Sequence, residues 1–333
     1  MKTQTLAIAT LILIALAAIP VYAADKAFKC GPDGSFTIVM FSDTQDDEDM
    51  DPRTTALMGQ ILDTEKPDMV VIGGDCISGG DCATVDEVKR AIANVAHPME
   101  TRRIPWAIVF GNHDQEHFPK TGLSKEAVLK IYESYPYNRN AGWAKGISGA
   151  GNKDILVAGT SGKPAFALWL IDSLEYAPQS IGGYRWIASD QVAWYYQTSK
   201  ALENKYKRKI PGLMFLHIPL REFAELTTNG KFEGSRFENE SASKVNSGLF
   251  AAILERDDVK GVFCGHDHVN NYVGEWMGVR LGFAGSAGFA TYSLPADHPK
   301  VKQARGGRVF VIRESDPSKF ETWMRFEDGS KGP

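Results

Sequence analysis

The feature that most constrains this sequence is a short apolar run that ends abruptly in the polar tetrapeptide Gly111-Asn112-His113-Asp114. The run, Trp106 to Phe110, is typical of a buried strand, and the glycine after it breaks that strand. A carboxamide, an imidazole and a carboxylate then follow, with no packing use at that point. Because ligand sites in open α/β sheets lie outside the carboxyl ends of the strands, we predict a functional site here.

Four other apolar runs end in the same way, namely Phe36–Phe41, Met69–Ile72, Leu213–Leu216 and Val259–Cys264. The polar residues that follow them are Asp43 with Gln45, Asp75, His217, and His266 with His268. Taken singly, Asp43 and Asp75 are also typical of turns or caps, and His217 of a structural core histidine. His266 and His268 are harder to explain by packing, since alternate residues of an extended chain point to one face. Because polar residues follow all five apolar runs, one shared site is favoured over five separate structural roles.

Helical spacing between these runs indicates the order of the elements. Residues 54–64 and 85–99 are predicted helices that separate the first three strands, which gives the β-α-β-α-β pattern of a right-handed parallel sheet. The sequence also predicts a strand at 166–171, helices at 124–135, 189–205 and 248–255, and strands at 279–283, 308–312 and 320–326. Loops around a short hairpin are predicted for 138–164, and a substrate-facing lid for the polar insert 221–247. A single α/β domain over residues 24–333 is the simplest interpretation.

The N-terminus has the pattern of a secretory signal peptide. Lys2 precedes an apolar run, Leu6–Ile19, that only Thr10 interrupts, and Val21-Tyr22-Ala23 fits a small-residue cleavage site. We therefore predict a signal peptide at residues 1–23 and an exported protein, periplasmic or secreted, that keeps no stable membrane insertion after cleavage. The alternative is an N-terminal membrane anchor, for which the run is short, since a spanning helix needs about 20 residues.

Charge and cysteine content narrow the function classes. The net charge is −4, and loss of the signal peptide removes Lys2 and no acidic residue, which disfavours nucleic acid as a partner. Of the four cysteines, Cys76 and Cys82 flank a glycine-rich loop and are the pair that export would most readily oxidise. Cys264 lies within a predicted strand, so we expect a buried free thiol there.

The polar residues after the five strands point to metal chemistry. Imidazole and carboxylate ligands together suit Zn, Fe or Mn. A carboxylate that bridges two cations, with the other ligands divided between them, describes a two-metal site for phosphoester hydrolysis. Such hydrolysis requires a hydroxide at neutral pH and positive charge against the phosphoryl oxygens, and two nearby cations supply both.

The same motifs, taken as a set over residues 36–313, resemble the calcineurin-like metallophosphoesterase superfamily. They are more narrowly similar to its purple-acid-phosphatase-related branch that lacks the extra N-terminal domain. The matching stretches are residues 105–116, 123–126, 170–173, 215–220, 246–250 and 265–270. The resemblance implies a four-layer α/β/β/α sandwich with two metal ions at the carboxyl-end loops of its sheets.

The resemblance also implies a role for each residue of the blocks. Asp43 and His268 belong to one metal and Asp75 bridges, while Asn112, His217 and His266 belong to the other. His113 corresponds to the catalytic histidine near the leaving oxygen, and Asp114 is expected to orient its ring.

Two positions depart from the family pattern. Gln45 stands where the family usually has histidine, and its harder, weaker oxygen predicts a first site that is looser, that prefers Mn or Mg, or that fills only partly. Alternatively, Gln45 points away and caps the acidic loop Asp46–Asp51. Ser78 replaces the tyrosine of purple enzymes, so no tyrosinate-to-iron colour is expected.

The sequence therefore predicts an exported phosphoesterase that uses two ions among Mn, Fe, Zn and Mg on a small phosphoester. Monoesterase and diesterase activity are not separated by the ligand set. A nuclease of the same superfamily and a weakened phosphate- or metal-binding protein remain alternatives, although a pure binder has no need of His113. Arg139, Lys231 and Arg236 are candidate phosphate contacts or solvated surface residues, and the oligomeric state is not indicated.

Overall fold

The computed structural model describes residues 28–333, so the predicted signal peptide, residues 1–23, lies outside the described residues. The elements follow the order β1 (Ser35–Phe41), α1 (Pro52–Glu65), β2 (Met69–Gly73), α2 (Val85–Arg102), β3 (Trp106–Val109), α3 (Phe118–Thr121), α4 (Lys125–Glu133), β4 (Lys153–Ala158), β5 (Pro164–Leu170), α5 (Ser189–Tyr206), β6 (Gly212–Phe215), α6 (Glu222–Asn229), β7 (Phe232–Glu233), α7 (Leu249–Arg256), β8 (Val259–Cys264), β9 (Val273–Trp276), β10 (Val279–Phe283), β11 (Gly306–Arg313), β12 (Phe320–Phe326) and β13 (Lys331–Gly332). Among the helices described, none is long and apolar enough to cross a membrane.

Two mixed sheets form the centre of the fold. The first has the order β13-β12-β11-β1-β2-β3, and the second has the order β4-β5-β6-β8-β10-β9-β7. β1, β2 and β3 are parallel neighbours, which confirms the predicted β-α-β-α-β unit. In the second sheet β5, β6, β8 and β10 are also parallel, so the carboxyl ends of strands from both sheets carry loops at one edge.

The two sheets pack face to face through an aromatic and aliphatic core. Phe310 of the first sheet contacts Phe215 and Phe263 of the second, with ring centroids 5.6 and 4.5 Å apart. The outer face of the first sheet packs on α1, α2 and α4, and that of the second on α5, α6 and α7. These layers confirm the predicted four-layer α/β/β/α sandwich.

Local capping explains why the helices after β1 and β2 begin where they do. The Asp51 carboxylate accepts the backbone N–H of Arg53 at the start of α1, and Pro52 occupies the first helical position. Thr84 and Glu87 form a capping box at the start of α2. The caps fix the lengths of the loops that leave β1 and β2, and these loops carry polar residues to the sheet edge.

One expectation from the sequence is wrong, and another holds only for part of its segment. The insert 221–247 contains α6, whose Phe223 and Leu226 are buried in the core on the outer face of the second sheet, so the predicted lid is limited to the residues after that helix, of which Ser241 lines the cleft described below. All four cysteines are buried free thiols, so Cys76 and Cys82 do not form the predicted disulfide. The Cys76 thiol instead donates to the Val109 carbonyl at 3.8 Å. The expectation of a buried free thiol at Cys264 is confirmed.

Candidate metal centre

The loops after β1, β2, β3, β6 and β8 meet at one edge of the sandwich. Backbone hydrogen bonds join the first two loops, since Asp43 N–H donates to Gly74 and Gln45 N–H donates to the Asp75 carbonyl, each at 3.0 Å. The loop of the second sheet joins them, because the His266 N–H donates to the Asp43 carboxylate at 3.0 Å. The structure therefore brings the predicted residues of both sheets to one place.

Asp75, His217 and His266 form the tightest cluster, with one potential ligand atom of each within 4.8 Å of the others. His217 Nε2 lies 3.0 Å from the Asp75 carboxylate and 3.3 Å from His266 Nδ1. His217 Nδ1 lies 2.8 Å from the Gly73 carbonyl, which can only accept, so Nδ1 carries the proton and Nε2 faces the cluster. Such a backbone partner is how metal-ligating histidines are commonly oriented.

Asp43 and His268 lie beside this cluster. His268 Nε2 is 3.3 Å from the Asp43 carboxylate, and its Nδ1 is hydrogen-bonded to the Thr291 hydroxyl. Gln45 lines the same cleft as Asp75, His113, His266 and His268. The acidic loop after it is capped from within, because the Asp46 carboxylate accepts the N–H groups of Asp47 and Asp51. The structure thus places the Gln45 side chain toward the cleft rather than as a cap of that loop.

Three buried atoms around the cluster have no hydrogen-bond partner within the described chain. They are Gln45 Oε1, Asn112 Oδ1 and His266 Nε2. The two amide oxygens carry lone pairs, as does His266 Nε2 when the ring is protonated at Nδ1, and leaving such a group buried and unpaired costs roughly 1–3 kcal/mol. Beside them lie the carboxylates of Asp43 and Asp75, both almost fully buried. Cations bound among these residues would give each of these groups a partner, so the residues present fit a metal centre.

The backbone at the cluster is in an uncommon conformation. Asp43, Asp75 and His266 have φ angles of 51°, 45° and 76°, in the left-handed region that L-residues rarely adopt. Such conformations are costly and concentrate at functional sites. Two glycines allow the close approach, since a Cβ at Gly74 would lie 2.5 Å from the His217 ring and one at Gly111 would lie 2.2 Å from the Asp75 carboxylate. These close approaches explain why Asp75 and Asn112 each follow a glycine in the sequence.

Burial and mutual charge shift the pKa values of the clustered groups. Burial opposes ionisation of Asp75, but the charge of His217 and its hydrogen bond hold the pKa of this carboxyl well below its usual range. Burial likewise disfavours the charged form of His217, yet Asp75 and Asp43 raise its pKa to about 10. Burial and the charge of His217 lower the pKa of His266 to about 3. Cation binding therefore has to displace the proton of His217, which makes metal affinity dependent on pH.

His113 lies in the cleft but outside the tight cluster, with about a third of its side chain exposed. The backbone N–H of His113 donates to the Asp75 carboxylate at 2.8 Å, and the ring Nδ1 of His113 lies 2.8 Å from Glu116 Oε2. The hydrogen bond to Glu116 raises the pKa of His113 above its usual value. With Nδ1 engaged, the other ring nitrogen is available to the cleft.

The expected contact between Asp114 and the His113 ring is absent. The Asp114 carboxylate instead accepts the backbone N–H groups of Cys76, Ile77 and Gly111 at 2.8, 3.1 and 2.8 Å. It ties the loop that carries Asp75 to the loop that carries His113, because three backbone donors outcompete the neighbouring ring for it. Burial and the Asp75 charge raise the pKa of Asp114 to about 7.

Glu116 makes the contact with the His113 ring that the sequence analysis assigned to Asp114. Its second oxygen accepts the Tyr176 hydroxyl at 2.8 Å, and that hydroxyl accepts from Asn112 Nδ2 at 3.1 Å. This chain of bonds links His113 to Asn112 through a residue that lies sixty positions away in sequence. The only sequence signal for Glu116 is its position three residues after His113, one turn of chain away.

The cleft over the cluster has a volume of about 240 Å³. It is lined by Gln45, Asp75, His113, Tyr184, Ser241, His266, His268, Thr291 and Tyr292. Arg139, Lys231 and Arg236 are not among these residues, which favours the alternative of surface residues over phosphate contacts. Arg139 donates to the Pro136 and Asn138 carbonyls, Arg236 pairs with Glu240, and Lys231 lines a different groove.

Comparisons with known proteins agree with this geometry. The sequence model described as calcineurin-like phosphoesterase matches residues 36–270. The chain is 34% identical over 299 residues to the Arabidopsis thaliana protein named probable inactive purple acid phosphatase 14, covering 84% of this chain and 73% of that one. It is 32% identical to probable inactive purple acid phosphatase 29 of the same plant, covering 84% and 75%. It is also 31% identical to phosphatase DCR2 of Saccharomyces cerevisiae, covering 67% of this chain and 39% of that one.

Solved structures share the fold at low sequence identity. A dimetal phosphatase from Danio rerio has a TM-score of 0.56 and 14% identity, covering 89% of this chain and 96% of that chain. The Plasmodium protein GAP50, named as the anchor in the inner membrane complex, has a TM-score of 0.53 and 12% identity, covering 89% and 86%. At these identities the likeness concerns the fold alone.

Proposed function

Because the chain belongs to the calcineurin-like phosphoesterase family, in its purple-acid-phosphatase-related branch, we propose that it hydrolyses small phosphate esters at a two-metal centre. One observation carries the proposal. Gln45 Oε1, Asn112 Oδ1 and His266 Nε2 are buried without partners beside two buried carboxylates, which is a costly arrangement for a site that holds no cation.

The residues that would hold the metals divide into two groups around Asp75. Asp43, Gln45 and His268 would hold one ion, and Asn112, His217 and His266 the other, with Asp75 shared. The Gln45 oxygen favours Mn or Mg at the first position, whereas the imidazoles at the second suit Zn, Fe or Mn. Two bound cations would lower the pKa of the attacking water and neutralise charge on the phosphoryl oxygens.

The protein's own contribution beyond the ligands is the placement of His113. Glu116 binds its Nδ1, which leaves the other ring nitrogen without that partner in a residue that lines the cleft, where it could meet the leaving group. In that position His113 donates a proton to the departing oxygen or stabilises its charge. Asp114 serves a different purpose, since it fixes the backbone on both sides of Asp75 and His113.

A second candidate function is metal or phosphate binding without turnover. Two observations favour it, namely the weak ligand Gln45 and the word inactive in the names of two relatives. Retention of the His113–Glu116 pair favours turnover instead, because a binding protein has no need of a proton donor. A nuclease is disfavoured, since the described residues that line the cleft include no lysine or arginine to bind a nucleic-acid backbone. Hydrolysis of phenyl phosphate by protein stripped of metal and then given Mn separates the candidates.

We also propose that the protein is exported and that its mature chain begins near Ala24. The support is the sequence pattern at residues 1–23, a basic residue, an apolar run and a small-residue cleavage site. N-terminal sequencing of protein recovered outside the cytoplasm should begin at or close to Ala24. Recovery of a chain that still begins at Met1 would contradict the proposal.

A further inference from the structure

Tyrosine rings cover two of the histidines in the metal centre. The Tyr184 ring meets His266 edge to face, with centroids 4.3 Å apart and an interplanar angle of 89°. The Tyr292 ring stacks on His268, with centroids 4.0 Å apart and an angle of 11°. Both tyrosines line the cleft. Two walls of the cleft are therefore aromatic.

The aromatic surface continues to the mouth of the cleft. Tyr176 stacks on Tyr184 at 5.8 Å, and 47% of Tyr176 and 53% of Tyr292 are exposed. Their hydroxyls are already held, that of Tyr176 by Glu116 and that of Tyr292 by Glu238, each at 2.8 Å. The rings are thus fixed before a ligand arrives, so stacking on them costs little ordering entropy.

Two carboxylates lie at the mouth of the cleft. Glu116 and Glu238 anchor the two exposed tyrosines, and no lysine or arginine is found among the cleft-lining residues of the described chain. Apart from His113, whose ring is paired with Glu116, positive charge in the cleft would come from the bound cations, which serve a single phosphoryl group. A further phosphate or carboxylate on the ligand would face these glutamates and be repelled.

We propose that this cleft selects phosphoesters whose leaving group is one uncharged aromatic ring, packed between Tyr184 and Tyr292. The inference rests on the proposed function for its phosphoryl site. The inference extends that function by naming the substrate class. The tyrosines, rather than the metal ligands, determine which leaving group the cleft prefers. Esters with aliphatic leaving groups lose the ring contact, and esters with additional anionic groups meet the glutamates.

Binding of phosphonates that cannot be hydrolysed tests the inference apart from turnover. Calorimetric titration of the Mn-loaded, full-length protein compares benzylphosphonate with cyclohexylmethylphosphonate, which differ in ring aromaticity and little in size. Since an aromatic pair contributes beyond its buried area, we expect benzylphosphonate to bind about threefold to tenfold more tightly. Equal affinities, a reversed order or no binding of either probe would overturn the inference. A protein that shows the preference yet hydrolyses no ester would contradict the proposed function alone.

Variants of Tyr184 test whether this ring causes the preference for the aromatic phosphonate. Tyr184→Leu should bring the ratio of the two affinities close to one, whereas Tyr184→Phe should keep it, because no hydrogen bond of the Tyr184 hydroxyl is found in the described structure. Tyr206→Leu, on α5 and absent from the cleft lining, is the matched control and should keep the ratio. A ratio unchanged in Tyr184→Leu would overturn the inference.

A third probe, 4-carboxybenzylphosphonate, should bind more weakly than benzylphosphonate, and equal or tighter binding would overturn the role of the glutamates.

Discussion

Replacing His113 with alanine is expected to leave the metal content nearly intact and to lower turnover roughly a hundredfold or more, the usual scale for loss of a general acid. The reason is the separation of roles in the structure. His113 lies in the cleft with its Nδ1 held by Glu116, whereas the buried atoms around the cluster that lack a hydrogen-bond partner belong to Gln45, Asn112 and His266. Metal analysis of the purified variant and steady-state kinetics measure the two effects separately.

A comparison of two esters tests whether His113 acts as a proton donor. Proton donation matters most when the departing oxygen is strongly basic, so the loss should be larger for benzyl phosphate than for phenyl phosphate. His97→Ala is the matched control, since His97 is exposed on α2 and lies outside the cleft lining. Loss of both metals in His113→Ala would show that its assigned role is wrong, and so would an equal loss for the two esters.

Replacing Gln45 with histidine is expected to tighten one metal position by about tenfold or more, where tenfold corresponds to about 1.4 kcal/mol. The Gln45 oxygen is buried, unpartnered and directed to the cleft, so an imidazole at this position would offer a stronger ligand. The change should also move the preference of that position toward Zn or Fe. Calorimetric titration of metal into stripped wild type and variant measures both effects.

The control for this change is Gln60→His, an exposed position on α1 that should leave both affinities unaltered. Turnover is not the deciding quantity, because a firmly held cation also holds product phosphate longer. Identical affinities at both positions in wild type and Gln45→His would mean that Gln45 is not a ligand. Tightening confined to the position of His217 and His266 would mean that Gln45 belongs to the other metal.

Much of the site could be predicted because its signal is local. A short apolar run and the polar residue one to four positions after it lie close in sequence, and parallel strands carry such residues to the same edge. Asp43, Asp75, Asn112, His217 and His266 meet for this reason. The glycines that precede several of them are part of the same local pattern, since only they allow the close approach seen at Gly74 and Gly111.

The contacts of Asp114 and Glu116 could not be predicted, because tertiary partners decide them. Adjacency suggested that Asp114 would orient His113, but backbone donors at Cys76 and Ile77 bind its carboxylate. Glu116 reaches the ring because the loop turns it toward Tyr176, which belongs to a distant segment. The disulfide expected between Cys76 and Cys82 failed similarly, because proximity in sequence does not determine where two buried side chains point.

The aromatic walls of the cleft could not be predicted from the sequence pattern. Tyr176 and Tyr184 lie on a loop after β5, and Tyr292 lies on a loop after β10. None of them belongs to an element with a hydrophobic period, and each is contributed by a segment that the motif blocks do not include. Specificity features of this kind come from loops, which vary independently of the sheet that carries the metal ligands.

Metal held by these residues is expected to make the protein a phosphoesterase, and one titration tests this most directly. Protein stripped of metal is titrated with Mn while bound metal and hydrolysis of phenyl phosphate are followed in the same samples. We expect no hydrolysis before metal is added, and turnover that rises to a plateau as two ions bind per chain. Two bound ions without hydrolysis, or hydrolysis that does not depend on metal, would contradict the claim.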